Sequence, residues 1–273
     1  MKSLLILCQP DDVAAFRLAE FCRRRDLPTI VVTGVELAAA PAWHVQTSTA
    51  GTMWRIGLAD GTVLSPLTVA GIYCRLLGVW SPYAFAAPED TNYAASELQA
   101  LITGWLRNAE VPLLGPVSPV QLAQPPTNGW LRLQQMAAAG LPVPATACLT
   151  APQQWAGLPD IPFSALHPEW PNRTGTWLQE PLLPDVTTAV AVDKAIFHAP
   201  DPELIAPLQR LQESLDVPFV AVPFARNTGG AWRAVGYHFL LNWATDEECA
   251  AFVEFAKSRL RQSVSASYLQ PVA

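Results

Sequence analysis

Apolar and polar positions recur along this chain with two periods, and these sort it into strands and helices. SLLILC, residues 3–8, is an unbroken apolar run of the length of a buried parallel strand. VAAFRLAEFCRRR carries apolar residues three and four apart and predicts a helix, capped by Asp11 or Asp12, and TIVVT predicts the next strand. Such a βαβ pattern over residues 3–33 favours a doubly wound α/β arrangement. Further on, Trp54, Ile56 and Leu58 alternate, Asp60 and Gly61 make a hairpin signal, and GIYCR reads as another buried strand ending at Arg75. ASELQALITGWLR predicts a helix within residues 89–107.

A second helix follows in residues 128–139, with Leu131, Leu133, Met136 and Ala137 at helical spacing. Gly140 sits where a helix end needs a residue that tolerates positive φ, and Pro142 and Pro144 hold the chain extended beyond it. Residues 151–176 lack periodicity, with prolines at 152, 159, 162, 168 and 171 among Trp155 and Trp170, and predict a loop packed by its own aromatics. From residue 176 the expected order is the strand WLQEP, a turn at Leu183, Pro184 and Asp185, the strand TTAVAV, a turn at Asp193 and Lys194, and the strand AIFHA. The helix PELIAPLQRLQESL, capped by Asp201, comes next. FVAVPFA, a turn at Gly229 and Gly230, and a long strand AVGYHFLLNW lead to the closing helix DEECAAFVEFAKSRLRQ.

Composition narrows what this framework does. Half the residues are apolar (51%) and only 15% are charged, which supports a large core and argues against disorder. A net charge of −6 argues against a general nucleic-acid binder, so no nucleic-acid partner is expected. Five scattered cysteines without a CxxC pair read as buried thiols in a cytoplasmic protein, and the four histidines show no zinc spacing. There is neither a signal-peptide pattern nor an apolar run of transmembrane length, so no membrane partner is expected. No GxGxxG follows the first strand and no GxSxG occurs. Cys74, beside Arg75, reads as a buried strand cysteine in preference to an activated thiol. The ten tryptophans read as core fillers or as a partner surface.

The phrase AAGLPVPAT, residues 138–146, looks like the "aGlpvPrT" segment that leads into the nucleotide-binding half of ATP-grasp ligases. GIYCRL resembles that family's "vWyRr" strand, with Arg75 as its first arginine. The series WLQEP, AVAVDKAIF, LQRLQESLDVPFVAVPF and FLLN resembles the later elements in order. Across nearly the whole chain the pattern is similar to the RimK-like branch, which includes peptide-macrocyclising maturases. The resemblance implies an α/β (α+β) ATP-grasp-like fold. An N-terminal βαβ pre-ATP-grasp domain would span residues 1–120. A degenerate ATP-grasp domain with a mixed sheet and helices would span 121–273, its lid truncated to 151–176.

The same resemblance implies a lost site. No lysine lies between Lys2 and Lys194, and the position of the first phosphate-contacting lysine falls at Asn128, Gly129 and Trp130. The expected strand arginine falls on Thr187, and the magnesium-binding aspartate and glutamate fall on Pro223 and Leu240. Only Asn242 and the hinge pair Gln179 and Glu180 keep their identity. Magnesium needs several hard oxygen ligands, and one amide does not provide them. The expectation is therefore an inactive ATP-grasp relative, without catalytic residues, metal or cofactor, whose Gln179 and Glu180 mark a vestigial nucleotide hinge.

Such a protein would bind a peptide or protein partner, for instance a paralogous ligase, as an accessory factor in a peptide-modifying or natural-product pathway. Arg75, Trp80, Trp130, Arg173 and Asn242 would carry recognition, and the resemblance adds a homodimer. The alternative is a divergent ATP-dependent carboxylate–amine or carboxylate–hydroxyl ligase with a non-standard or partner-completed site. Its cations would come from Arg132, Arg173, Lys194, Arg226 and Arg233.

Overall fold

The computed structural model describes residues 2–49, 51–79, 87–116, 129–149, 164–165 and 176–267. The chain divides into two compact units. One comprises Met1–Pro126 with Phe239–Ala273, and the other Thr127–His238.

In the first unit β1 (Ser3–Cys8) lies between β2 (Thr29–Thr33) and β6 (Val69–Cys74), all parallel. The sheet is extended by Leu113, which bridges Ile72. Helix α1 (Val13–Arg24) makes the crossover from β1 to β2. Asp12 caps it by accepting from the Ala15 N–H at 3.0 Å. A short helix α2 (Gly34–Ala38), which the sequence pattern did not announce, begins with a capping box between Thr33 and Glu36. A small antiparallel sheet follows, β3 (Ala42–Ser48), β4 (Gly51–Gly57) and β5 (Val63–Leu64). Its expected turn forms at Asp60 and Gly61, where Asp60 accepts from the Thr62 N–H at 2.8 Å and Gly61 takes φ +87°.

Helix α3 (Pro88–Arg107) closes this core. Trp105 meets Trp43 and Trp54 edge-on at 5.6 and 5.2 Å, among Leu5, Leu7, Ile56 and Ile72. The carboxy-terminal helix α6 (Asp246–Ser267) belongs to the same unit and packs on α1. Glu248 accepts from the Ala244 and Thr245 N–H groups while its own N–H reaches the Thr245 hydroxyl, so the helix starts on a buried capping box. Tyr73, Trp243 and Phe252 form an aromatic cluster beneath it. Gly71 in β6 permits a close approach, because a Cβ there would stand 2.5 Å from Leu260 Cδ2.

The second unit opens with α4 (Gly129–Ala138), which buries Leu133 and Met136 and ends at Gly140 with φ +86°. Strand β7 (Thr146–Leu149) pairs antiparallel with β9 (Thr176–Gln179), which also pairs with β8 (Ser164–Ala165). Of the lid expected over 151–176, only residues 164, 165 and 176 lie within the described residues.

The main sheet has the order β11 (Ala195–Phe197), β10 (Leu182–Val192), β12 (Phe219–Asn227), β13 (Trp232–Ala234), all antiparallel. Helix α5 (Ile205–Leu215) covers it through Leu208 and Leu211, preceded by a 3-10 turn, Pro202–Leu204, that Asp201 caps.

Two expectations are corrected here. Leu183, Pro184 and Asp185 do not form a turn. They make an irregularity inside the single strand β10, whose register with β12 shifts between Leu182 and Val186. The expected strand over residues 234–243 stops at Ala234. Pro223 on β12 accepts from the Val235 N–H but has no N–H to return, so the ladder breaks. Pairing resumes as an isolated bridge between Ala221 and His238, one residue out of register.

Candidate functional site

The polar centre of the second unit is built around Glu180. The pairing of β7 with β9 aligns Thr146 with Gln179, and the next step brings the Glu180 N–H to the Ala145 carbonyl at 2.8 Å. The Glu180 side chain then points at the ends of two other strands. Its Oε2 accepts from Arg233 Nε at 2.8 Å and from the Ala145 N–H at 3.4 Å. Its Oε1 accepts from Asn227 Nδ2 at 2.5 Å and from Arg233 Nη2 at 3.3 Å.

Arg233 is delivered by the register of β13, where it lies opposite Ala225 of β12. Asn227 is held by the hairpin it closes: its Oδ1 accepts from the Ala231 N–H and its carbonyl from the Gly230 N–H. Burial pushes the Glu180 carboxyl up, but the hydrogen bonds from Arg233 and Asn227 and the guanidinium charge outweigh it. The group therefore titrates below the usual carboxylate range.

A cleft of about 510 Å³ opens beside this pair. Its walls are mostly apolar, Trp130, Leu133 and Ala137 from α4 and Val143 and Pro144 from the loop after it, with Glu180 and Arg233 as the charged edge. Trp130 is 36% exposed and stands at the rim of a cavity that suits an apolar side chain. A second cavity, of about 480 Å³, lies between the hairpin joining β12 to β13 and the 3-10 turn before α5.

The first unit has its own charged centre. Arg75 follows β6 and is 4% exposed. Its Nε and Nη2 donate to Asp12 Oδ2 and Oδ1 at 2.8 and 2.9 Å, and its Nη1 donates to the Leu241 carbonyl at 2.8 Å and to the Tyr73 hydroxyl at 3.2 Å. Asp12 thus caps α1 and neutralises Arg75 with one carboxylate. Burial alone would lower the Arg75 pKa, but Tyr73 and Asp12 raise it above its ordinary value, so the charge is permanent.

The remaining residues named from sequence are dispersed. Asn242 is exposed in the first unit, Gln179 is the last residue of β9, and Trp80 and Arg173 lie outside the described residues. Cys8, Cys22, Cys74 and Cys249 are buried free thiols. Burial pushes the first three up to about 12 and Cys249 to about 11. Asn227, Arg226 and Trp232 gave no sequence signal as a group, because only the β12–β13 hairpin assembles them. Among the described residues no helix is long and apolar enough to cross a membrane. No group of three or more His, Cys, Asp or Glu there could hold a metal ion.

No protein-family model and no curated protein matches the chain. Solved structures do match it over almost its full length. The macrocyclase MdnC from Microcystis aeruginosa MRC, bound with its precursor peptide MdnA, superposes with a TM-score of 0.68 at 12% identity, covering 94% of this chain and 99% of MdnC. A Chryseobacterium gregarium RiPP-associated ATP-grasp ligase, in complex with ADP and a leader and core peptide, gives 0.64 at 9% identity, with 94% and 97% covered. The ATP-grasp ligase PsnB, complexed with minimal precursor, Mg and ADP, gives 0.64 at 14% identity, with 94% and 98% covered. The fold is the mixed α/β fold of the ATP-grasp ligases, as the resemblance in sequence implied.

Proposed function

We propose that this chain is a catalytically inactive ATP-grasp-like protein that binds a peptide or protein partner, as an accessory factor in a peptide-modification pathway. The observation that carries the reading is the commitment of Glu180. The one acid of the hinge pair has both oxygens taken by donors of the chain itself. MgATP needs cations for its phosphates and several hard oxygen ligands for its metal.

The residues at the corresponding positions do not fit that group. Thr187 and Pro223 occupy strand positions with no charge to offer, Val222 and Phe224 flank Pro223 as buried apolar residues, and Leu240 replaces a carboxylate. Arg233 is spent on Glu180.

Support for a peptide comes from the cleft beside Glu180, where Trp130, Leu133, Val143 and Pro144 form an apolar seat of side-chain size. The relatives of this fold include ligases solved with precursor peptides. Calorimetry tests the reading. Titration with MgATP is expected to show no binding at the affinity of an active ligase, while precursor-type peptides bind and Trp130→Ala weakens them. Tight MgATP binding, or ADP release in the presence of peptide, would overturn it.

A further inference from the structure

The second cavity of this unit has a charge arrangement that the peptide reading does not use. Arg226, at the end of β12, lies over the Trp232 ring at 4.5 Å. Asp201 and Glu203 line the same cavity from the other side, with Pro142 and Leu204 between them. Three neighbouring interactions keep these walls in place. The hairpin is closed by Asn227, whose N–H donates to the Ala231 carbonyl, whose carbonyl accepts from the Gly230 N–H and whose side-chain Oδ1 accepts from the Ala231 N–H. Asp201 is fixed by capping, its Oδ1 accepting the Glu203 N–H at 3.0 Å. Pro142 accepts the Ala234 N–H at 2.7 Å.

Within this frame the opposite charges do not meet. Two arginines and two acids line the cavity; Arg233 is paired with Glu180, and the exposed Arg226 makes no ion pair with either Asp201 or Glu203. A guanidinium stacked on an indole keeps its in-plane N–H groups for a carboxylate approaching edge-on. The Glu203 carboxylate and Asp201 Oδ2 remain to accept from an ammonium group. Trp232, Leu204 and Pro142 supply apolar surface between the two poles.

We propose that this cavity binds a free α-amino acid, its carboxylate on Arg226, its ammonium on Glu203 and Asp201, and its side chain along Trp232 and Pro142. An α-amino acid is the smallest common metabolite that carries both charges and an apolar body. A volume of about 480 Å³ accommodates it. A simple anion is disfavoured by the two acids and a simple cation by Arg226. The site adjoins the cleft beside Glu180, the two sharing Arg233 as a wall, but its charged and apolar contacts are others and it does not depend on the peptide reading.

Ligand-observed NMR and calorimetry with the common amino acids, each up to about 10 mM, test the proposal. At least one aliphatic or aromatic amino acid is expected to bind. Its N-acetyl and carboxamide derivatives, each lacking one charge, are expected to bind about tenfold more weakly or worse, as are the exposed-site variants Arg226→Gln and Glu203→Gln. Circular dichroism would verify that both variants are folded. Absence of binding by every amino acid, equal binding of the blocked derivatives, or wild-type affinity in both folded variants would each overturn it.

Discussion

Glu180 and Arg233 are 53 residues apart in sequence, yet Oε2 of one lies 2.8 Å from Nε of the other. The pair is largely shielded from solvent, with side-chain exposures of 14% and 24%, and it ties the end of β9 to the hairpin joining β12 to β13. A carboxylate so placed holds strands together and leaves little capacity for an incoming ligand.

Removing Arg233 should therefore act first on stability. Arg233→Met leaves the Glu180 carboxylate half-satisfied in a partly buried site, and a loss of about 2 kcal/mol is expected. Urea unfolding of wild type and variant would measure it. Glu180→Gln, which keeps a neutral acceptor at the site, should cost less than Arg233→Met.

The pH dependence of this contribution has a definite sign. The folded Glu180 carboxyl is held below the ordinary glutamate value of 4.5, so the stabilisation is fully present above that value. It is lost as pH falls through the depressed folded value, where the carboxylate takes up its proton. The stability difference between wild type and Glu180→Gln should be constant near neutrality and shrink between about pH 5 and pH 3. A difference that grows on acidification would contradict the arrangement.

Arg75 and Asp12 form the more deeply buried pair, with side-chain exposures of 4% and 14%. Arg75→Leu would strand Asp12, free the Leu241 carbonyl and remove one hydrogen bond from the Tyr73 hydroxyl, at an expected cost of about 3–5 kcal/mol. Arg75→Lys keeps the charge but not the fork that engages both carboxylate oxygens, and should recover only part of the loss. Thermal unfolding of the two variants beside Asp12→Asn would separate charge from geometry.

The four described thiols should be chemically silent in the folded protein. Burial raises Cys8, Cys22 and Cys74 to about 12 and Cys249 to about 11, so each is protonated at neutral pH as well as shielded. Peptide mapping after iodoacetamide treatment should find these four unmodified in native protein and alkylated in denaturant. Rapid native labelling of Cys74 would show that its strand is more accessible than the structure describes.

Local pattern made much of the framework legible. The run SLLILC, the helix capped by Asp12, the turn at Asp60 and Gly61, and the stop at Gly140 each depend on side chains within a few residues of one another. The errors fell where a distant strand intervenes. Leu183, Pro184 and Asp185 carry turn residues, but pairing of β10 with β12 holds them in one strand. AVGYHFLLNW has strand composition, but Pro223 on the neighbouring strand cannot donate to it.

The candidate sites divide in the same way. Arg75 and Glu180 are visible in the sequence as isolated charges at the ends of strands, and their identities alone suggest recognition. Their environment is a property of the tertiary structure. Asp12 and Leu241 reach Arg75 across 63 and 166 residues, and Arg233 reaches Glu180 across 53. The amino-acid sequence by itself determined most of the strands and helices, because backbone preference and burial period are local. Tertiary structure alone decided which charges are spent within the molecule and which, like Arg226 and Glu203, face a cavity without an ion pair. A charge is neutralised by whatever the fold brings within a few ångströms, at any separation along the chain.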